Sequence, residues 1–197
     1  MKKALKLVWM VLFALPMISL TACGDDDDLV DNETGATVNM KDYSDLLDKT
    51  KEDVSKKMGI EVADQDEEGL YYVGISKNVL GVSVLYSFGE FDENNVLKTY
   101  DKSVMVDVIL DGYNYDTVYN FVTDKYGKGE MIESILVIKK GDMYVLYTWN
   151  DEQDWAEISY VKKSTWDKEF GELTKADGTL DINKIKAVKA YAATKRI

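Results

Sequence analysis

The side chains that could carry chemistry in this 197-residue chain are a restricted set. The sequence has no histidine, and Cys23 is its one cysteine. Serine–histidine–aspartate catalysis, cysteine–histidine catalysis and histidine-ligated zinc are therefore excluded for this chain. Cys23 has no second cysteine with which to form an intramolecular disulfide. Any reaction would depend on carboxylates, lysines or tyrosines, and no motif singles out a set of them. The sequence predicts no catalytic residue, no metal site and no cofactor.

Cys23 ends a segment that is organised like a secretory signal. Lysines occur near the amino terminus, an apolar run covers residues 7–20, and two small residues precede Cys23. The run is shorter than the roughly 20 residues that a membrane-spanning helix needs. The segment resembles the lipobox of bacterial lipoproteins, in which the cysteine is acylated after export. This resemblance implies a signal peptide at 1–22 and a lipid anchor on Cys23.

A glycine and four aspartates directly follow the cysteine. These residues are Gly24, Asp25, Asp26, Asp27 and Asp28. Adjacent aspartates repel one another and cannot pack against apolar groups, so we expect 23–41 to be an acylated cysteine with a solvated tether. The run also resembles the lipoprotein export signal of Bacteroidota. That resemblance implies an outer-membrane lipoprotein displayed on the cell surface, with the periplasmic leaflet as the alternative location.

The composition limits the partners of the chain. Its net charge is −12, and the first 22 residues contain three lysines and no acid, so their removal leaves −15. A chain this acidic, without a basic stripe, is not expected to bind nucleic acid or to dock electrostatically on anionic lipid. Thirteen tyrosines and four tryptophans indicate a folded body, because disordered chains are poor in aromatic residues. We expect contact with the membrane through the anchor and an interaction with a protein or a glycan.

The pattern of residues 42–163 predicts two similar units, at 42–112 and 113–163. In the first unit a helix begins after Thr50 and ends at Gly59, and strands follow at 70–76, 82–91 and 96–110. In the second unit Asn114 or Asp116 caps a helix that ends at Gly127, and strands follow at 132–139, 143–149 and 155–163. The predicted fold is α+β, with two tandem repeats of a helix plus a three-stranded antiparallel sheet. The pattern leaves open whether the two units share one sheet.

The last 34 residues, 164–197, are predicted to be a helical tail. Asp181 can cap a helix that runs to about Thr194 and carries a narrow apolar stripe. A stripe of this width is compatible with loose docking on the body or with fraying.

The first helix also carries a family resemblance. Thr50, Val54, Met58 and Gly59 match the opening of the small outer-membrane lipoproteins that include SmpA and OmlA. That family is similar to the tandem-repeat fold of beta-lactamase inhibitory protein. Asp48 stands where the family usually has glycine, and no proline follows Gly59. The resemblance implies the two-repeat architecture, and it makes a periplasm-facing accessory of envelope assembly an alternative function.

Three aromatic residues form the candidate ligand-binding site. Tyr147 and Trp149 share a face of one strand by alternation, and Trp155 in the next strand could reach them. Exposed rings would stack on sugars, whereas rings turned inward would fill the core. Both interpretations fit the sequence, so the site is speculative.

Acidic loops offer weaker candidates. The clusters at 64–68 and 151–154 could supply oxygen ligands to calcium, but solvated loops of an acidic protein have the same composition. Residues 177–181 fit a plain turn before a capped helix, since a calcium loop would need oxygen ligands where Leu173 and Lys175 stand. The favoured function is a lipid-anchored, non-catalytic binding or interaction module. A carboxylate-dependent enzyme acting on glycans is a further alternative.

Overall fold

The computed structural model describes residues 27–30, 37–150, 155–175 and 179–194. The predicted signal peptide, Cys23, Gly24, Asp25 and Asp26 lie outside the described residues. The acidic cluster at 151–154 and part of the turn at 177–181 also lie outside them.

Twelve strands and four α-helices occur in the described part of the chain. In chain order they are β1 (Asp27–Val30), β2 (Thr37–Met40), α1 (Lys51–Met58), β3 (Asp64–Gln65), β4 (Gly69–Val73), β5 (Val79–Leu85), β6 (Ser87–Phe91), β7 (Leu97–Thr99), β8 (Met105–Asp111), α2 (Tyr115–Tyr126), β9 (Glu130–Ile132), β10 (Ile135–Lys140), β11 (Met143–Asn150), β12 (Trp155–Lys162), α3 (Lys163–Phe170) and α4 (Ile182–Thr194). A short 3-10 turn, Ser44–Leu46, precedes α1.

Eight of these strands form one antiparallel sheet. Their order is β3-β4-β5-β8-β12-β11-β10-β9, with β8 and β12 paired at the centre. The predicted α+β class with antiparallel pairing is confirmed. The two halves of the chain share this single sheet, because β8 pairs with β5 on one side and with β12 on the other.

Helices cover both faces of the sheet. Valines 106 and 108 of β8 point to the first face, where they pack with α1 and α2 in one core. The alternate residue Met105 points to the second face, where Trp166 of α3 and Ile185 of α4 pack in another core. Two covered faces explain why the central strands are apolar on both sides and alternate imperfectly in sequence.

Two predicted strands are each divided in the structure. The predicted strand 82–91 is β5 and β6, and the predicted strand 96–110 is β7 and β8. The chain leaves the main sheet after Leu85, and β6 and β7 form a separate two-stranded hairpin. Gly89 within this hairpin has a φ of +75°, which side chains of L-residues rarely adopt. The alternation of 82–91 continues through this bend and therefore conceals it.

Local signals locate the helix ends correctly. The Thr50 side chain accepts a hydrogen bond from the Asp53 N–H at 3.2 Å, and Gly59 ends α1 in the left-handed region with a φ of +63°. Asn114 caps α2 in the same way, accepting from the Thr117 N–H at 2.8 Å. Each cap satisfies an N–H group that has no partner inside its helix.

Replacing Thr50 with alanine tests the first cap. We expect the free energy of unfolding to fall by about 1 kcal/mol, because the Asp53 N–H loses its acceptor. Denaturant unfolding of the variant measures this loss. Thr50→Ser keeps the hydroxyl and should retain most of the stability, whereas equal losses in both variants would contradict a capping role.

Parts of the predicted tether and of the predicted tail form regular secondary structure. Within the predicted tether, residues 27–30 pair antiparallel with 37–40, so that Val30 lies opposite Thr37. Leucine, valine and threonine in these stretches are residue types that favour strands. In the predicted tail, Asp181 caps α4 as expected, and its carboxylate accepts from the Asn183 N–H at 3.1 Å. Among the described residues, no helix combines the length and apolar character needed to cross a membrane.

Candidate functional site

The structure separates the three aromatic residues of the predicted ligand site. Tyr147 and Trp149 lie on the first face, where the ring of Tyr115 is 5.8 Å from Tyr147 and 6.1 Å from Trp149. Tyr147 is only 2% exposed, so its ring faces protein on both sides. Trp155 lies opposite Asn150 in the register, and Trp149 lies opposite Ala156. Trp155 is therefore on the other face of the sheet, and it does not join the other two.

In the acidic cluster at 64–68, Asp66 stabilises a turn. The Asp66 carboxylate accepts hydrogen bonds from the N–H groups of Glu68 and Gly69, each at 2.8 Å. It also accepts from the Tyr71 hydroxyl at 3.3 Å. These bonds hold the turn before β4. In the described ranges, no group of three or more acidic side chains is placed to hold a metal ion.

A second aromatic cluster, which the sequence did not indicate, lies on the opposite face. The ring of Phe88 in β6 meets the rings of Trp166 and Phe170 edge to face, at 5.3 and 5.6 Å between centroids. Trp166 and Phe170 are four residues apart in α3, so they share one side of that helix, with centroids 4.3 Å apart. Through these ring contacts the β6–β7 hairpin packs against α3.

The cluster forms one wall of a cavity of about 360 Å³, which we call the aromatic pocket. Its lining consists of Phe88, Met105, Trp166, Phe170, Val188 and Tyr191, with Ala187, Glu90 and Lys184 completing it. Cavities that bind small ligands have volumes of about 300–1,000 Å³ and are lined mainly by apolar and aromatic groups. The aromatic pocket meets both criteria.

The position of Tyr191 in the pocket depends on Gly89. A Cβ atom on Gly89 would lie 2.7 Å from the Tyr191 ring, so only glycine allows α4 to approach the hairpin this closely. The Tyr191 hydroxyl donates a hydrogen bond to Glu68 at 3.0 Å, which fixes the ring from its far end. The glycine and the hydrogen bond together set the wall that α4 contributes.

An open cleft adjoins the aromatic pocket, and Glu90 lines both. This acidic cleft has a volume of about 660 Å³ and is lined by the hairpin from Glu90 to Thr99 together with Glu169. Its charged side chains are Glu90, Asp92, Glu93, Lys98 and Glu169. Lys98 forms an ion pair with Glu169, so the remaining carboxylates leave the cleft strongly negative.

Two large apolar side chains are exposed on the same hairpin. Phe91 and Val96 are each 60% exposed, more than any other large apolar residue whose exposure the structure describes. The Asp92 carboxylate accepts from the N–H groups of Asn94 and Val96, each at 2.9 Å, and so holds the turn between the strands. The hairpin therefore exposes two large apolar side chains beside a turn that hydrogen bonds to Asp92 stabilise.

A polar cluster lies under α4, beside the pocket. Asp107 and Glu157 are buried on neighbouring strands, and the Ser159 hydroxyl donates to Asp107 at 2.6 Å. Lys189 of α4 reaches down to Glu157, with Nζ 2.7 Å from the carboxylate. The same ammonium lies 3.2 Å from the Ser159 hydroxyl. The Lys189 ammonium thus lies against one buried carboxyl group, that of Glu157, and acts through its charge on a second, that of Asp107.

The electrostatics of this cluster favour a protonated carboxyl. Burial, followed by the charge of Glu157, raises the pKa of Asp107 well above its ordinary value of 3.8, and Lys189 only partly opposes this. One oxygen of Asp107 has no hydrogen-bond partner in the described part of the chain. The cluster is sealed beneath α4, and it positions that helix next to the aromatic pocket.

Comparison with known proteins identifies no relative: no protein-family model, curated protein or solved structure matches this chain.

Proposed function

We propose that the protein is a lipid-anchored outer-membrane lipoprotein that acts as a non-catalytic binding module, displayed on the cell surface. The anchor is supported by Cys23, which directly follows the apolar segment and precedes the acidic run. The binding role is supported by the aromatic pocket and by the exposed apolar residues of the adjoining hairpin. A solvent-exposed site on an anchored domain would hold its ligand at the membrane surface.

We also propose that the body is a tandem repeat. Each half contributes a helix and four strands to the sheet, where the sequence predicted three strands: α1-β3-β4-β5-β8 in the first half corresponds to α2-β9-β10-β11-β12 in the second. The sheet order supports this proposal, because the two sets of strands run outward from the β8–β12 pair in matching sequence. The β6–β7 hairpin has no counterpart in the second half of the described chain. An element added to one repeat alone is a natural place for a specific function, and this hairpin lines both the pocket and the cleft.

Surface display is tested by protease digestion of intact cells. We expect proteinase K to degrade the protein while a periplasmic control protein survives. Degradation only after the outer membrane is breached would contradict surface display and would favour the periplasm-facing alternative.

The acidic run gives a sharper prediction. Replacing Asp25, Asp26, Asp27 and Asp28 with alanine should leave the protein acylated but retained inside the cell, because the predicted export signal is removed. The fraction degraded by external protease measures the effect, and metabolic labelling with a fatty acid verifies the anchor. A matched variant that exchanges the four aspartates for glutamates keeps the charge and should still be displayed. Continued display of the alanine variant would rule out the acidic run as the signal.

A further inference from the structure

We infer that the aromatic pocket and the acidic cleft bind a basic peptide segment that carries a bulky apolar side chain. This inference rests on the proposed binding function and adds the chemistry of the partner. The apolar side chain would enter the pocket, and neighbouring lysine or arginine side chains would lie in the cleft.

The lining of the pocket argues for an apolar group. Rings of Phe88, Trp166, Phe170 and Tyr191 surround it, and the charged side chains Glu90 and Lys184 complete the lining. A sugar would need several hydrogen-bond partners inside such a cavity, because unpaired buried hydroxyls are costly. An aromatic or aliphatic side chain meets no such requirement.

The charge of the cleft argues for a basic partner. Glu90, Asp92, Glu93 and Glu169 line it against the single amine of Lys98. Asp92 is engaged in the hairpin turn, and Glu169 is paired with Lys98. In the described part of the chain, Glu90 and Glu93 form no ion pair, and both are exposed. These two carboxylates are therefore available to a cation on a partner.

The geometry joins the two requirements in one ligand. Glu90 lines both the pocket and the cleft, so an apolar group in the pocket would bring adjacent residues of the same chain into the cleft. Phe91 and Val96 border the cleft and offer apolar contact to the stems of lysine side chains. Charge complementarity of this kind accelerates encounter and excludes acidic partners.

Three synthetic peptides test the inference. Each alternates phenylalanine with one polar residue, which is lysine in the first peptide, glutamine in the second and glutamate in the third. Binding is measured by fluorescence anisotropy to the full lipidated protein in phosphatidylcholine nanodiscs, with empty nanodiscs as background. We expect the lysine peptide to bind about tenfold more tightly than the glutamine peptide, the glutamate peptide to bind weakest, and added salt to reduce the difference.

Matched variants assign the binding to the two sites. Ala187→Leu, on the pocket side of α4, should weaken the lysine and glutamine peptides by about tenfold, because it fills the cavity. Ala190→Leu, on the same helix but away from the pocket, is its control. The double variant Glu90→Gln, Glu93→Gln should weaken the lysine peptide alone by about tenfold. Its control is Glu61→Gln, Glu67→Gln, which removes two exposed carboxylates elsewhere.

The outcomes separate the two proposals. Equal binding of the lysine and glutamine peptides, abolished by Ala187→Leu, would overturn the basic partner and leave the pocket as a binding site. If both glutamate double variants lose the same affinity for the lysine peptide, the basic partner is also overturned, because the attraction would then come from the overall charge of the protein. If none of the peptides binds, the proposed binding role of the pocket fails as well.

Discussion

Replacing Lys189 with methionine is expected to lower the free energy of unfolding by about 3–5 kcal/mol. Lys189 is the cation that lies against Glu157, whose side chain is 1% exposed, and the lysine side chain itself is 11% exposed. Methionine keeps the apolar stem and removes the ammonium. Glu157 would then be a buried carboxylate that has lost the Lys189 ammonium, next to a second buried carboxyl, Asp107.

A neighbouring lysine on the same helix provides the control. Lys186 pairs with Glu133 at 3.0 Å, but both side chains are more than half exposed. Lys186→Met should therefore change stability by less than about 1 kcal/mol. The difference in unfolding free energy between the two lysine variants measures the effect of burying the ion pair, because the substitution and the helix are the same.

The companion substitution Glu157→Gln completes the test. In the Lys189→Met background it removes the buried charge that has lost the Lys189 ammonium, so we expect it to restore a large part of the lost stability. Urea unfolding of the two single variants and the double variant gives the coupling free energy. If the two losses simply add, the ion pair is not what holds α4 in place.

The features that the sequence predicted correctly are those that depend on near neighbours. Thr50, Asn114 and Asp181 each cap a helix through an N–H group two or three residues away. Such contacts are visible in a window of a few residues. The α+β class follows for the same reason, because short helices bounded by caps alternate with runs of strand-forming residues.

The candidate site escaped prediction because it depends on distant contacts. Phe88 meets Trp166 and Phe170 only after the chain has completed β7 to β12 and entered α3. Before folding, Phe88 is one apolar residue in an alternating run. The break at Gly89 was the one available signal, since a glycine inside a strand pattern often marks a bulge or a close approach. Here it marks both a bend and the contact with Tyr191.

The surroundings of Asp107 and Trp155 depend on contacts that are distant in sequence. In sequence, Asp107 lies between valines and shares its side of the strand with Met105 and Ile109, and this pattern does not show which element covers that side. The second face is in fact covered by α3 and α4, so the same alternation places a carboxyl group in the core. The position of Trp155 depends on the register of β11 and β12 across a turn, and a shift of one residue would reverse its face.

The buried carboxyl also predicts how stability depends on pH. Because the folded-state pKa of Asp107 is raised, the folded protein holds a proton that the unfolded chain releases. The stability that this proton contributes is fully present below the ordinary pKa of 3.8. It is lost as the pH rises through the raised pKa of Asp107 in the folded protein. Between these limits the free energy of unfolding should fall by about 1.4 kcal/mol per pH unit.

In the interval from about pH 5 to 7, the slope belongs to the buried cluster that contains Asp107. The chain has no histidine, so no other side chain has its ordinary pKa there. Carboxylates with lowered pKa, such as Asp142 and Glu169, affect stability only at lower pH. Tyrosines with raised pKa, such as Tyr43, affect it only above their ordinary value of 10.0. Urea unfolding at several pH values in this interval measures the slope.

The variant Asp107→Asn tests whether the pH dependence of the unfolding free energy comes from Asp107. Asparagine has the shape of a protonated aspartate and cannot ionise, so the variant should be stable at pH 5 and nearly independent of pH up to 7. Asp111→Asn, at the half-exposed end of the same strand, should retain the slope of the unchanged protein. A flat profile in the unchanged protein would mean that Asp107 is ionised when folded. Lys189 would then compensate both carboxylates, and its replacement by methionine should cost more than the removal of a single ion pair.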